Sequence, residues 1–229
     1  KGRRLIDKWY KYQFKNARVI LLSSLLYPDV SGYIPRDRVY ICPNGIPEKP
    51  GGREIKKPRA SKSPSIPEAL FLSHLMKAKG LWTFLEACNI LCEREVSFRG
   101  KIVGEPSDIK EEELRQYLAA SGLAGRVVYA GPKYGAEKTA CLEKAGVFVF
   151  PTLEDCFPLV ILEAFQSGIP VIASSEGAIP EMVEDGVNGF LVSRNDPRLL
   201  ADKMQLLIQN PALRMEFGRA GQRKYERYY

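Results

Sequence analysis

From residue 68 to the end of the chain, short continuous apolar runs alternate with helix-length amphipathic segments. No other feature restricts the fold as strongly. The runs occupy 69–73, 98–104, 127–131, 147–151, 170–174 and 189–192. A strand that stays apolar without alternating is buried on both faces, the condition of a parallel sheet covered by helices. The intervening stretches 80–95, 109–121, 136–145, 158–168, 179–185 and 197–210 have helical length and pattern, and a last helix runs from 211 to about 227. Residues 68–229 are therefore read as an α/β domain with a doubly wound, Rossmann-like parallel sheet. Several runs end in Gly or Pro before a polar loop, at the edge where open α/β sheets hold ligands.

Residues 1–47 read as a separate, smaller unit. Leu5, Ile6, Trp9, Tyr10 and Gln13 suggest an imperfect amphipathic helix. The stretch 18–23 reads as a buried strand, 25–33 as a short helix, and 38–42 as a second strand ending in the turn Pro43-Asn44-Gly45. Strand, helix, strand is the repeating unit of a parallel sheet, but this one is too small to bury a core alone. It is expected either to dock on the α/β domain or to be the tail of a larger domain. Residues 48–67, rich in Pro, Lys, Ser and Gly, read as a linker.

Charge divides along the same line. Residues 1–68 hold 15 Lys and Arg against 6 Asp and Glu (+9), and residues 69–229 hold 19 against 21 (−2), together the +7 of the chain. A basic front segment attracts phosphates of nucleotides, lipid headgroups or nucleic acid, or is simply a solvated basic surface. No apolar run approaches the roughly 18 residues of a membrane span. Five scattered cysteines, without metal-ligand spacing, suit a reducing cytosol better than a disulfide framework. A single histidine, His74, argues against a Ser-His-Asp triad within this chain.

The densest chemistry lies between 148 and 173. A buried strand ends at Pro151, an acidic loop (Glu154, Asp155, Cys156) comes next, and a helix begins near Pro158. Its first amides, Phe157, Pro158 aside, Leu159 and Val160, would be open to an anion or a sugar hydroxyl. Glu163 adds a second acid on the same helix. The bland alternative makes Asp155 an ordinary helix cap and Glu163 a solvated helix residue. A second cluster, His74, Lys77 and Lys79 before Gly80, lies after the first strand of the domain, where lysine suits phosphate as a mobile point charge. Gly104 ends the second strand, where backbone must come close to something. The absence of Gly-x-Gly-x-x-Gly after the first strand counts against an NAD-type site.

These segments resemble the carboxy-terminal half of the retaining group 1 (family 4) glycosyltransferases, whose architecture is the two-domain GT-B fold. The match includes the strand before Lys79-Gly80, Val103-Gly104, and Asp-Cys-Phe-Pro-Leu-Val-Ile-Leu-Glu-Ala over 155–164 in place of the family's paired-acid frame. The stretches 168–173 and 177–192 fit as well, and Cys42-Pro-Asn-Gly-Ile46 resembles the hand-over between the family's two domains. The resemblance implies a nucleotide-diphosphate sugar, UDP- or GDP-linked, as donor substrate, with no cofactor and no metal, and transfer with retention of configuration. It implies that Lys79, with His74 or Lys77, neutralises the diphosphate. Glu163 would bind ribose, and Asp155 with the 157–160 amides would hold the sugar and neighbouring phosphate. Lys133 and Tyr134 are placed to line the base. The first acid, usually Glu, is Asp155 here, beside Glu154; the usual arginine is His74, a weaker partner.

The same resemblance makes 1–47 the remnant of an acceptor-binding first domain, and 68–229 the donor-binding domain. The rest of the first domain would be the chain's main partner, and the chain alone is expected to bind nucleotide weakly and to transfer little. A carbohydrate or lipid-linked acceptor, a role in polysaccharide synthesis, and a cytoplasmic setting with peripheral membrane contact are expected by analogy with family members. Nucleic acid is not expected. Two competing readings are a nucleotide-sugar epimerase of the same fold and a basic module docking on membrane or nucleic acid through the aromatic-basic helix at the start of the chain.

Overall fold

The computed structural model describes residues 2–48 and 66–229, with side chains from Leu5 onward. Most of the linker expected over 48–67 thus lies outside the described residues. The front segment consists of α1 (Gly2–Gln13), β1 (Val19–Leu21), α2 (Tyr27–Val30) and β2 (Val39–Ile41). After it come β3 (Glu68–Leu72), α3 (Leu81–Glu93), β4 (Arg99–Val103), α4 (Glu111–Ala120), β5 (Val127–Tyr129), α5 (Gly135–Lys144) and β6 (Val147–Phe150). The chain closes with α6 (Leu159–Gln166), β7 (Val171–Ser174), α7 (Ile179–Met182), β8 (Gly189–Val192), α8 (Pro197–Gln209) and α9 (Pro211–Tyr228).

All six strands from β3 onward form one parallel sheet in the order β5-β4-β3-β6-β7-β8. The sheet grows outward from β3 in one direction and from β6 in the other. The two central neighbours therefore send their helices to opposite faces, and a crevice opens between their carboxyl ends. The burial expected from unbroken apolar runs is met in β6, in β7 and in β3 after Glu68, but not towards the β5 edge, where Arg99 of β4 is exposed and Val128 of β5 is 53% exposed. One face carries Phe84, Leu85, Leu114, Leu118, Leu200 and Met204 from α3, α4 and α8. The other carries Leu142, Ile161, Leu162, Phe165, Ile179 and Tyr225 from α5, α6, α7 and α9.

The last two helices start where the sequence provides a capping side chain. At the head of α8, Asp196 accepts the Leu199 amide at 2.9 Å, and Pro197 occupies the first helical position. Removing that cap in Asp196→Ala should cost about 1 kcal/mol of stability. A denaturant melt with an unchanged midpoint would show that the cap is redundant.

The front segment corrects one expectation. β1 and β2 pair in parallel, as the strand-helix-strand pattern implies, but they form a separate two-stranded sheet. β1 is not buried: Ile20 is 67% exposed, and on β2 Tyr40 and Ile41 are 49% and 40% exposed. A pair of strands without helix layers on both sides cannot bury both faces. Here α1 spends its aromatics on a local ladder, Tyr10 against Phe14 and Tyr33, rather than on the sheet. The segment docks on the larger unit through Gln166, which donates to Pro47 O at 2.9 Å, and through a bond between the Ser24 hydroxyl and Glu181. All five cysteines are free thiols. No helix among the described residues is long and apolar enough to cross a membrane.

Candidate functional site at the centre of the sheet

The loop after β3 and the loop after β6 meet at the crevice between the two central strands. After β3 the chain makes a bridge at Leu75 and then a single 3-10 turn, Lys77–Lys79, which ends on Gly80 with φ +75°. Gly80 is required there. A Cβ would lie 1.8 Å from the Pro151 carbonyl oxygen at the end of β6. This close approach presses the turn against the β6 loop, which is further tied to Ala78 O by Leu153 N and by the buried Thr152 hydroxyl.

The result is that Lys79 and Asp155, 76 positions apart, are brought together. Lys79 Nζ donates to Asp155 Oδ2 at 2.7 Å and to Glu154 O at 3.0 Å. The pair is mostly withdrawn from water, with side-chain exposures of 22% and 16%. Of the two adjacent acids, Asp155 is the one turned to the lysine, while Glu154 is exposed and supplies its carbonyl. Asp155 is not a helix cap. The N-cap of α6 is Pro158, which has no side chain to cap with, and the Leu159 and Val160 amides begin the helix without intrahelical acceptors. Phe157 and Pro158 are themselves buried, Phe157 with its ring edge-on to Tyr229.

One turn further along α6, Glu163 is also turned inward. Its Oε1 accepts from Lys138 Nζ on α5 at 2.6 Å, and its Oε2 is buried with no hydrogen-bond partner among the described residues. The solvated-residue alternative for Glu163 does not hold here.

The other expected residues fall further out. His74 and Lys77 are both exposed; the Lys77 amide is taken by Asp108 Oδ1 at 3.0 Å, and neither side chain joins the Lys79–Asp155 pair. Gly104 does meet a close neighbour, but the neighbour is the chain itself. A Cβ at this position would stand 1.7 Å from Ser73 O, so the glycine serves the packing of the β4 end against the β3 end. Tyr129 fastens that corner by donating to Gly104 O at 2.9 Å. Burial, and next the charge of Glu111, push its phenol above the ordinary value. Lys133 pairs with Glu137 at 3.3 Å, and Tyr134, 67% exposed, donates to Glu105 Oε2 at 3.2 Å. Both stand at the head of α5. Lys138 is not legible in the sequence because nothing in its local pattern ties it to a residue 25 positions away. Thr152 is equally silent, because a buried hydroxyl bonded to backbone has no pattern at all.

A basic turn and an acid loop joined at the topological switch point, beside a helix head with free amides, are what an anionic, hydroxyl-rich ligand requires. Residues 66–210 match the family model described as "Glycosyl transferases group 1". The chain belongs to this family. Its relatives include the D-inositol 3-phosphate glycosyltransferase of Paenarthrobacter aurescens, 29% identical over 80% of this chain and 46% of that protein. A putative colanic acid biosynthesis glycosyltransferase of Escherichia coli, WcaL, is 35% identical over 76% of this chain and 43% of that protein. The chain thus spans less than half the length of these curated relatives. Solved structures share the fold. A glycosyltransferase from Rickettsia africae superposes with a TM-score of 0.81 at 18% identity, covering 97% of this chain and 62% of that one. Anabaena HepE, crystallised in complex with UDP, gives 0.77 at 22% identity, covering 93% and 60%.

Proposed function

We propose that this chain is the donor-binding part of a retaining glycosyltransferase, holding a UDP- or GDP-sugar at the crevice between β3 and β6. The observation that carries the reading is the Lys79–Asp155 pair at the switch point, 2.7 Å apart and largely out of water. A diphosphate brings concentrated negative charge, and that charge grows on the leaving oxygen as the sugar departs. A lysine already held at the crevice stabilises it, once the phosphates have taken the place of Asp155 on the ammonium. Asp155, displaced from the lysine by the phosphates, is then free to accept from hydroxyls of the transferred sugar. The unbonded first amides of α6 face the same charge. Glu163, with one oxygen buried and unsatisfied, accepts from the ribose hydroxyls. The UDP complex of HepE supports this reading by likeness of fold.

In the same reading, 68–229 is the donor domain and 1–47 the last part of an acceptor domain. The acceptor is a carbohydrate or lipid-linked carbohydrate held mainly by that first domain. Transfer by the chain alone is expected to be slight, because one wall of the cleft is then incomplete.

Isothermal titration with UDP and GDP tests the donor reading. Binding of at least one at millimolar ligand is expected. Glu163→Ala should weaken that binding about 10-fold, the loss of a hydrogen bond to a charged group. Heat from neither nucleotide, or an alanine variant that binds as well as the unaltered chain, overturns the reading.

A further inference from the structure

Lys138 has no place in the donor site as read from the sequence, yet it makes one of the shortest side-chain contacts at the crevice. α5 and α6 lie on the same face of the sheet, with Leu142, Ile161 and Leu162 in one apolar cluster. From this shared layer Lys138 Nζ reaches Glu163 Oε1 at 2.6 Å, and the two side chains are 31% and 22% exposed. A tie between helices would be indifferent to the state of the second carboxylate oxygen. In this pair Oε2 is buried and accepts nothing among the described residues. An unsatisfied buried acceptor costs about 1–3 kcal/mol, so a site that keeps one is shaped for a donor from elsewhere.

We infer that Lys138 is a positioning and specificity residue that makes the nucleotide site demand a ribose hydroxyl rather than a deoxyribose; the inference rests on the donor reading of Glu163. By engaging Oε1, the ammonium fixes the carboxylate rotamer and leaves Oε2 as the acceptor. An ammonium has three N–H donors, and one goes to Glu163. A hydroxyl placed against the pair donates to Oε2 and accepts from Nζ, satisfying both at once. A methylene in its place satisfies neither and leaves Oε2 buried and unpaired. The ligand class is therefore a ribonucleoside diphosphate, distinguished from its 2′-deoxy counterpart. Without Lys138 the ribose hydroxyl loses its donor and the carboxylate its fixed rotamer, so the ribo form gives up its advantage and the discrimination fades.

Titrations of the protein with UDP, 2′-deoxy-UDP, GDP and 2′-deoxy-GDP read this out. The unaltered chain should prefer the ribo form about 10-fold or more, the penalty of one unpaired buried polar group. Lys138→Met should reduce the preference to about 3-fold or less by losing affinity for the ribo form, and Lys138→Arg should retain most of it. If Glu163→Ala removes the preference while Lys138→Met leaves it intact, the pair is only a tie between α5 and α6; the inference then falls and the donor reading stands. If Lys138→Met weakens ribo and deoxy forms equally, the effect is general distortion, which also overturns the inference. If the unaltered chain binds none of the four, or Glu163→Ala changes nothing, the donor reading falls and takes this inference with it.

Discussion

Replacing Lys79 with methionine should lower the affinity for a nucleoside diphosphate about 100-fold, the largest loss expected from any single side chain at the crevice. Two effects act in the same direction. The variant removes a charge-assisted hydrogen bond to phosphate, worth about 1.5–3 kcal/mol. It also strips Asp155 of the cation 2.7 Å away, so that an unneutralised, mostly buried carboxylate meets the incoming anion. The second effect gives the prediction a signature. Adding Asp155→Asn to Lys79→Met should recover part of the lost affinity, because the repelling charge is then gone, and the two substitutions should be non-additive. Lys77→Ala should cost less than about 3-fold, since that side chain is exposed and does not join the pair. Calorimetric titration of the unaltered chain, Lys79→Met, Asp155→Asn, the double variant and Lys77→Ala gives the comparison. A Lys79→Met chain binding within 3-fold of the unaltered one would place the diphosphate elsewhere.

The contrast between Lys79 and Lys77 shows where the sequence is legible and where it is not. The central strands can be read closely because burial on both faces writes itself as unbroken apolar runs, and β8 occupies the same residues, 189–192, as its run. The pattern of runs and helices gives a doubly wound parallel sheet but not where the winding reverses; the structure places that reversal between β3 and β6, whose ends lie side by side. What the pattern cannot convey is which of three basic side chains in one loop lies at the crevice. That choice is made by the single 3-10 turn that aims Lys79 inward and leaves His74 and Lys77 in solvent. The close approach expected at Gly104 exists, but it is to Ser73 of the neighbouring strand end, a tertiary contact without sequence signature. The front segment misleads for the opposite reason. The apolar run at 18–23 predicts burial, whereas burial depends on what covers a strand, and Ile20 is left two-thirds exposed.

Gly80→Ala should be strongly damaging in two respects at once, costing about 2–5 kcal/mol of stability and most of the nucleotide affinity. An alanine held in the left-handed region pays roughly 1–2 kcal/mol over glycine. Its methyl would stand 1.8 Å from the Pro151 carbonyl, backbone that is fixed at the end of a fully buried strand and cannot turn aside as a side chain would. Relief therefore requires the 3-10 turn to move off the β6 loop, and forced shifts of this kind cost about 1–3 kcal/mol. The same movement carries Lys79 away from Asp155 and loosens the bonds that Leu153 N and the Thr152 hydroxyl make to Ala78 O. Stability and binding are thus coupled through one backbone contact. A control separates this from ordinary destabilisation: Asp196→Ala, at the head of α8 and remote from this turn in sequence, should lower the melting temperature slightly and leave nucleotide affinity unchanged. A Gly80→Ala chain that loses stability yet binds normally would show that the turn's contact with Pro151 is structural only, and that Lys79 finds the diphosphate without being held against β6.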